Sequence, residues 1–158
     1  MNINSTYFLL FSSHFDRDIG IDVGRLLLHN LSAGHQKIWR AYSSHNSGQN
    51  PEGFHKRGGM IPPQYRIPGL DHWYVNTLPE DSREVKGVDG SFYRISPYEV
   101  TTDKGGIRSA FGIHRDANAP GSLGCIVMSD NRFRQFEQEM RSLYQIGIKQ
   151  IPLLVIYS

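Results

Sequence analysis

A cysteine and a histidine eleven positions apart carry the most specific chemistry this sequence offers. In the stretch Gly112-Ile113-His114-Arg115-Asp116-Ala117-Asn118-Ala119-Pro120-Gly121-Ser122-Leu123-Gly124-Cys125-Ile126-Val127-Met128, His114 ends a strand-like segment and a turn-rich loop follows. The chain's single cysteine then stands directly after a glycine and before an apolar run. Free cysteine, with a pKa of about 8.5, is only a few per cent thiolate at neutral pH, so a nucleophilic Cys125 needs a base within hydrogen-bond reach. A loop that turns back toward the strand end brings His114 there. Gly124 lets the backbone bend sharply and aim successive N–H groups at one point in front of the sulfur, the arrangement of an oxyanion hole in acyl transfer. Two plainer readings stand beside this one. A lone cysteine is commonly a small buried apolar side chain, and Gly121-Ser122-Leu123-Gly124 could present a serine, although it lacks the Gly-x-Ser-x-Gly frame of a hydrolase elbow.

The segment resembles the active-site signature of the YkuD-type L,D-transpeptidases: a histidine, a loop, then Ser or Thr, a variable residue, Gly and Cys. His114, Ser122, Gly124 and Cys125 match that pattern. Upstream, Gly58-Gly59-Met60-Ile61-Pro62-Pro63-Gln64-Tyr65 is similar to the family's segment that leads by a turn into the strand before the active site, and Arg25 to Ser43 falls where the family places its first strands. The His114 to Cys125 loop is shorter than in the wall cross-linking enzymes, closer to versions found in phage proteins and secretion effectors. Leu123 replaces the usual histidine, and Val127 stands where those enzymes usually carry an arginine. Arg115 is the candidate replacement for that positive charge.

The resemblance implies a cysteine enzyme that acts on L,D bonds of peptidoglycan stem peptides through an acyl-enzyme. His114 takes the thiol proton, the N–H groups of Gly124 and Cys125 hold the oxyanion, and Ser122 braces the loop or the base by a hydrogen bond. The acyl group then passes to water (carboxypeptidase or endopeptidase cleavage) or to an amine (D-amino-acid exchange or cross-linking). The alternative is a non-catalytic β-domain, a phage structural part or wall-binding module that keeps the fold without the chemistry. Tyr65 and Arg66, expected on the strand leading from the Gly-Gly loop, are candidates to line the substrate cleft.

These residues need a scaffold, and the chain reads as mainly β. Thr6 to Ser13, Arg25 to Leu31, Gln36 to Ser43, Ser91 to Ser96, Arg108 to His114 and Leu153 to Tyr157 are rich in aromatic and branched residues and bounded by turn formers. Asn30 to Gly34 reads as a hairpin connection within a meander. Ser44 to Gly69 is a Gly- and Pro-rich loop region where binding residues gather, while Pro79 to Gly90 reads as a solvated excursion. One helix is expected, Asn131 to Tyr144, because Phe133, Phe136, Met140, Leu143 and Tyr144 recur at helical spacing. Ser129 or Asp130 can cap its start and Gly147 can end it. The implied fold is a single domain over 1–158, an L,D-transpeptidase-like β-sandwich with one amphipathic helix after the cysteine.

Composition supports a compact domain: the 158 residues are 39% hydrophobic and 20% charged, near the globular average. Seventeen Lys and Arg against fifteen Asp and Glu leave almost no excess charge, so nucleic-acid binding gains no support. One cysteine excludes an intrachain disulfide. His29, His35, His45, His55 and His72 lack the close paired spacing of zinc motifs, so neither metal nor cofactor is expected. Asp71-His72-Trp73-Tyr74 reads as packing rather than a pocket. Tyr7 to Phe11 is too short for a signal-peptide core, and no apolar run reaches a membrane span of roughly 20 residues. The expected partner is peptidoglycan in the bacterial envelope, reached by phage lysis or dedicated secretion; without the family resemblance, the default address is cytoplasmic.

Overall fold

The computed structural model describes residues 6–16, 18, 21–44, 53–86, 88–116 and 123–158. In chain order the strands are β1 (Tyr7–Asp16), β2 (Ile21–Asn30), β3 (Gln36–Arg40), β4 (Tyr42–Ser44), β5 (Trp73–Asn76), β6 (Glu80–Ser82), β7 (Gly90–Ser96), β8 (Glu99–Thr101), β9 (Ile107–Ser109), β10 (Gly112–Arg115), β11 (Leu123–Met128) and β12 (Gln150–Tyr157). A single helix, α1 (Asp130–Gln145), lies between β11 and β12. The chain is mainly β, as composition and punctuation predict.

The main sheet runs β3-β2-β1-β12-β5-β7-β10-β11-β4, with β6 added to β7 and β8-β9 forming a separate hairpin. Its two end strands, β3 and β4, are one continuous segment interrupted only by Ala41. The sheet therefore rolls up until both ends share a single stretch of chain. The corner is tight: Ala41 N–H donates to the Gly24 carbonyl at 3.1 Å, and a Cβ on Gly24 would stand 2.1 Å from the Ala41 carbonyl oxygen. Only glycine permits that approach.

β1, β2 and β3 form the expected antiparallel meander. The Asn30 side chain accepts from the N–H groups of Ser32 and Ala33 at 3.0 and 3.2 Å and so closes the hairpin. β12 inserts parallel to β1 and carries the core residues Ile151, Leu153 and Val155. α1 buries Phe133, Phe136, Met140 and Leu143 and leaves Tyr144 exposed. Those four side chains are worth about 2 kcal/mol each in area removed from water. Phe136 meets Trp39 edge-on at 5.7 Å and Tyr93 at 5.1 Å, so the helix seals the inside of the roll. Gly147, at φ 91°, ends the helix. Ser129 makes no side-chain cap; its hydroxyl accepts from Arg132 instead.

Three expectations are corrected. Tyr65 and Arg66 lie not on a strand but on a 3-10 turn, Gln64–Arg66. Pro62 and Pro63 supply no N–H to a ladder, and the Gln64 side chain turns inward to accept from Val155 N–H at 2.8 Å. The Arg108 to His114 segment is split into β9 and β10 by Ala110, which holds φ 65°. Gln36 to Ser43 is split at Ala41. Leu123–Met128 and Trp73–Asn76 are strands that composition alone did not single out. Trp73 is fully buried against Phe111, and its indole donates to the Pro62 carbonyl at 3.0 Å, a packing role.

Candidate active site on the outer face of β7, β10 and β11

β10 and β11 run parallel, with Ile113 beside Ile126, His114 beside Val127 and Arg115 beside Met128. One step back, the same register sets Cys125 beside Gly112. Side chains alternate along each strand. Ile113, Ile126 and Met128 enter the core, whereas His114 and Cys125 share the opposite face, two residues out of register. At strand spacing this puts their Cβ atoms about 8 Å apart.

β7 extends the same face. Gly112 pairs with Arg94 and Ile113 with Tyr93, so Phe92 falls beside His114. The two rings stack at 6.0 Å and 25°. A Cβ on Gly112 would lie 2.1 Å from a Phe92 ring carbon, so Gly112 is glycine because the Phe92 ring edge occupies its side-chain position.

The Nδ1 of His114 is 2.7 Å from the Arg115 carbonyl oxygen. That oxygen can only accept, so Nδ1 carries the proton of the neutral ring and Nε2 keeps the lone pair. Burial holds the imidazole below its ordinary pKa, against the opposing pull of the Arg115 carbonyl and Asp116. The group is therefore a neutral base at neutral pH.

Cys125 is half-buried, and its Sγ approaches the Ala110 carbonyl oxygen at 3.8 Å. Burial pushes the thiol up to about 11, partly offset by a backbone hydrogen bond from Gly112 and by the charges of Arg94 and Arg108. The resting pair is thus thiol and imidazole, not thiolate and imidazolium. Ala110, whose carbonyl meets this sulfur, holds φ 65°, and left-handed backbone of this kind at a non-glycine residue gathers at functional sites.

Gly124 stands at φ 113° inside a disruption of the β11 ladder: Leu123 pairs with Ser44 and Val127 with Tyr42, so four steps on β11 oppose two on β4. The cysteine therefore sits on a bulge. A Cβ on Gly124 would lie 2.7 Å from Arg108 Nη2, 2.9 Å from the Phe111 ring and 3.0 Å from the Gly59 carbonyl oxygen. The bulge is held from behind. Ser43 Oγ donates to the Gly124 carbonyl at 2.9 Å and accepts from Ile61 N–H at 2.8 Å. Buried Arg108 donates to the carbonyls of Phe54, Met60 and Gly59. The Gly-Gly-Met-Ile segment singled out in the sequence thus reaches the site as a brace behind Gly124.

The remaining candidates divide. By alternation Arg115 faces away from Cys125; its guanidinium donates to the carbonyls of Val88 and Asp89 and pairs with Asp130 at 3.4 Å, tying down the turn before β7. Arg66 pairs with Asp103 at 2.6 Å and lies over the Phe54 ring, and Tyr65 is exposed. Ser122 lies outside the described residues. Arg94, Phe92, Ser43 and Arg108 were not singled out from sequence, although the alternation of Phe92 and Arg94 with apolar Tyr93 and Ile95 was a readable signal for a second face. Among the described residues no three or more His, Cys, Asp or Glu side chains gather as metal ligands, and no helix is long and apolar enough to cross a membrane.

The fold and site define a rolled β-domain with a cysteine and a neutral histidine on one outer face. No protein-family model matches the chain, and neither a curated protein nor a solved structure matches it.

Proposed function

We propose that this chain is a cysteine acyl-transfer enzyme of the L,D-transpeptidase kind, a β-sandwich domain that acts on L,D bonds of peptidoglycan stem peptides. The observation that carries the reading is the shared face of His114 and Cys125, with the imidazole tautomer set by the Arg115 carbonyl so that Nε2 is the free base. As the thiol attacks a carbonyl, Nε2 takes its proton and later returns it to the leaving amine. The bulge at Gly124 presents the backbone before Cys125 toward the oxyanion.

A second reading, a non-catalytic wall-binding or phage structural domain, draws support from the thiol pushed up to about 11 at rest. Mass spectrometry of muropeptides incubated with the protein, with and without added D-amino acid, separates the two. Loss of terminal D-alanine is the expected result, and exchange appears when D-amino acid is supplied. Unchanged muropeptides in both incubations count against the enzyme.

A further inference from the structure

The outside of the roll carries a second patterned face, on the strands remote from the cysteine. Along β3, β2, β1 and β12 the residues that alternate with the core point outward. Ile38 pairs with Leu27, Leu27 with Leu10 and Leu10 with Leu154, so one register row is aliphatic across all four strands. Ile38 is 51% exposed, and Leu27, Leu10 and Leu154 are half-buried. To one side of this row lie His29 and Phe8, whose rings are 5.2 Å apart, and Tyr74 beside Pro152. The row on the other side reads Arg40, Arg25, Ser12 and Ile156, again in register.

Arg25 and Arg40 stand directly opposite each other on β2 and β3, and both are exposed. Like charges placed in this way repel. Neither makes an ion pair among the described residues; Arg40 lies over the Tyr42 ring at 5.9 Å. Among the described side chains that β3, β2, β1, β12 and β5 turn outward, none is Asp or Glu. Two adjacent guanidinium groups without a counter-charge thus border an exposed aliphatic strip.

We infer that this face docks on an anionic lipid surface, with Arg25 and Arg40 on the lipid phosphates and the Ile38 to Leu154 row against the boundary of the acyl chains. A guanidinium matches a phosphate in charge and in its forked geometry. Apolar area and basic side chains together hold a peripheral protein at acidic headgroups. A second copy of the chain fits this face less well. Stacking two copies gathers four arginines with no carboxylate from the described strands between them, and the outside of a roll is convex, so two such faces meet along a line. A bilayer interface deforms around a convex face. The contact lies on the membrane and requires no span. β1, β12, β5 and β7 lie between β2 and β10 in the sheet, so docking leaves the Cys125 face turned away from the bilayer.

Vesicle co-sedimentation tests the inference without any turnover. Wild type should bind vesicles of phosphatidylglycerol and phosphatidylcholine in equal parts at least tenfold more tightly than vesicles of phosphatidylcholine alone. Arg25→Gln with Arg40→Gln is expected to weaken that binding about thirtyfold. Arg132→Gln with Arg134→Gln, both exposed on α1, changes the net charge equally and should leave binding as it is. Ile38→Ser should weaken it about fivefold. These substitutions all fall on exposed side chains, so the fold should survive each of them. Iodoacetamide should alkylate Cys125 at the same rate with and without vesicles. Equal binding to the two kinds of vesicle, or an equal loss in the α1 pair, overturns the inference. A concentration-dependent dimer that Ile38→Ser disperses assigns the face to a second copy and also overturns it. Alkylation slowed by the vesicles overturns the orientation, because the docked face would then include β10 and β11.

Discussion

His114 and Cys125 occupy adjacent parallel strands on one face of the sheet, two residues out of register, with the backbone N–H of Gly112 reaching the sulfur. That offset sets the two side chains diagonally on the face, and the Arg115 carbonyl fixes the ring proton on Nδ1 so that Nε2 keeps the lone pair. Cys125→Ala and His114→Ala should each lower muropeptide turnover by at least 10³-fold, since each removes a group without which the other cannot act. Cys125→Ala should melt within about 1 kcal/mol of wild type. Measured turnover in either variant above a tenth of the wild-type rate sinks the assignment.

The thiol gives a stability signature in alkali. Its folded pKa is raised from 9.0 to about 11, chiefly by burial. Below pH 9 it is protonated in both folded and unfolded chains and contributes no pH dependence. Above that, the unfolded chain ionises first, so stability falls as pH rises toward 11 and levels off beyond it. Two units correspond to about 2.7 kcal/mol, an upper bound for a half-buried group. Urea midpoints of wild type should therefore drop between pH 9 and 11 relative to Cys125→Ala; parallel curves would show that the thiol is not shifted.

His114 acts at the other end of the scale. Its folded pKa is depressed by burial, so stability is full while the ring is neutral and declines as pH falls below about 6.5, where the unfolded chain protonates first. The variant His114→Gln should flatten this acid limb. If wild type and variant lose stability in step between pH 6.5 and 5, the imidazole is not the cause.

Two glycines are fixed by what occupies their side-chain space. Gly124→Ala would force φ 113° on an alanine and drive its Cβ into Arg108, Phe111 and the Gly59 carbonyl, at an expected cost of about 2–4 kcal/mol. Gly112→Ala meets the tip of Phe92 first, so Phe92→Ala should relieve it. In a double-mutant cycle the coupling should exceed 1 kcal/mol in the compensating direction. Additive losses would mean that Phe92 is not what keeps position 112 bare. Gly34, also at positive φ but with open space around it, should cost only about 1 kcal/mol as alanine.

Ser43 connects the bulge to the Gly-Gly segment. Ser43→Ala strands the Gly124 carbonyl and the Ile61 N–H, both bonded to its hydroxyl, and should cost about 2–3 kcal/mol. It should also slow iodoacetamide at Cys125 or turnover beyond what the stability loss explains, because the carbonyl before the cysteine loses its anchor. A variant of unchanged thiol reactivity would make Ser43 a purely structural brace.

The strands around Phe8, Leu26, Trp39, Tyr93 and Val155 were legible because apolar and branched residues between turn formers have few other ways to bury their side chains, and the helix was legible because Phe133, Phe136, Met140 and Leu143 recur at its period. Breaks were harder to read. Ala41 and Ala110 are ordinary residues, and nothing in their type announces a corner of the roll or a left-handed backbone. The family resemblance of the Gly-Gly segment puts Tyr65 and Arg66 on a strand, yet Pro62 and Pro63 and the inward Gln64 set the local hydrogen bonding instead.

The sequence by itself determined a β-rich chain with one amphipathic helix and a histidine followed by Gly-Cys, because these depend on residue type and on spacing within a single segment. Only the tertiary structure decided which charge stands beside the sulfur. Arg115, next to His114 in the chain, is turned to the opposite face by the pleat and spent on the carbonyls of Val88 and Asp89. Arg94, thirty-one positions before the cysteine, is brought into its row by the pairing of β7, β10 and β11. Strand register joins residues that are remote in sequence, and the two-residue pleat separates those that are adjacent.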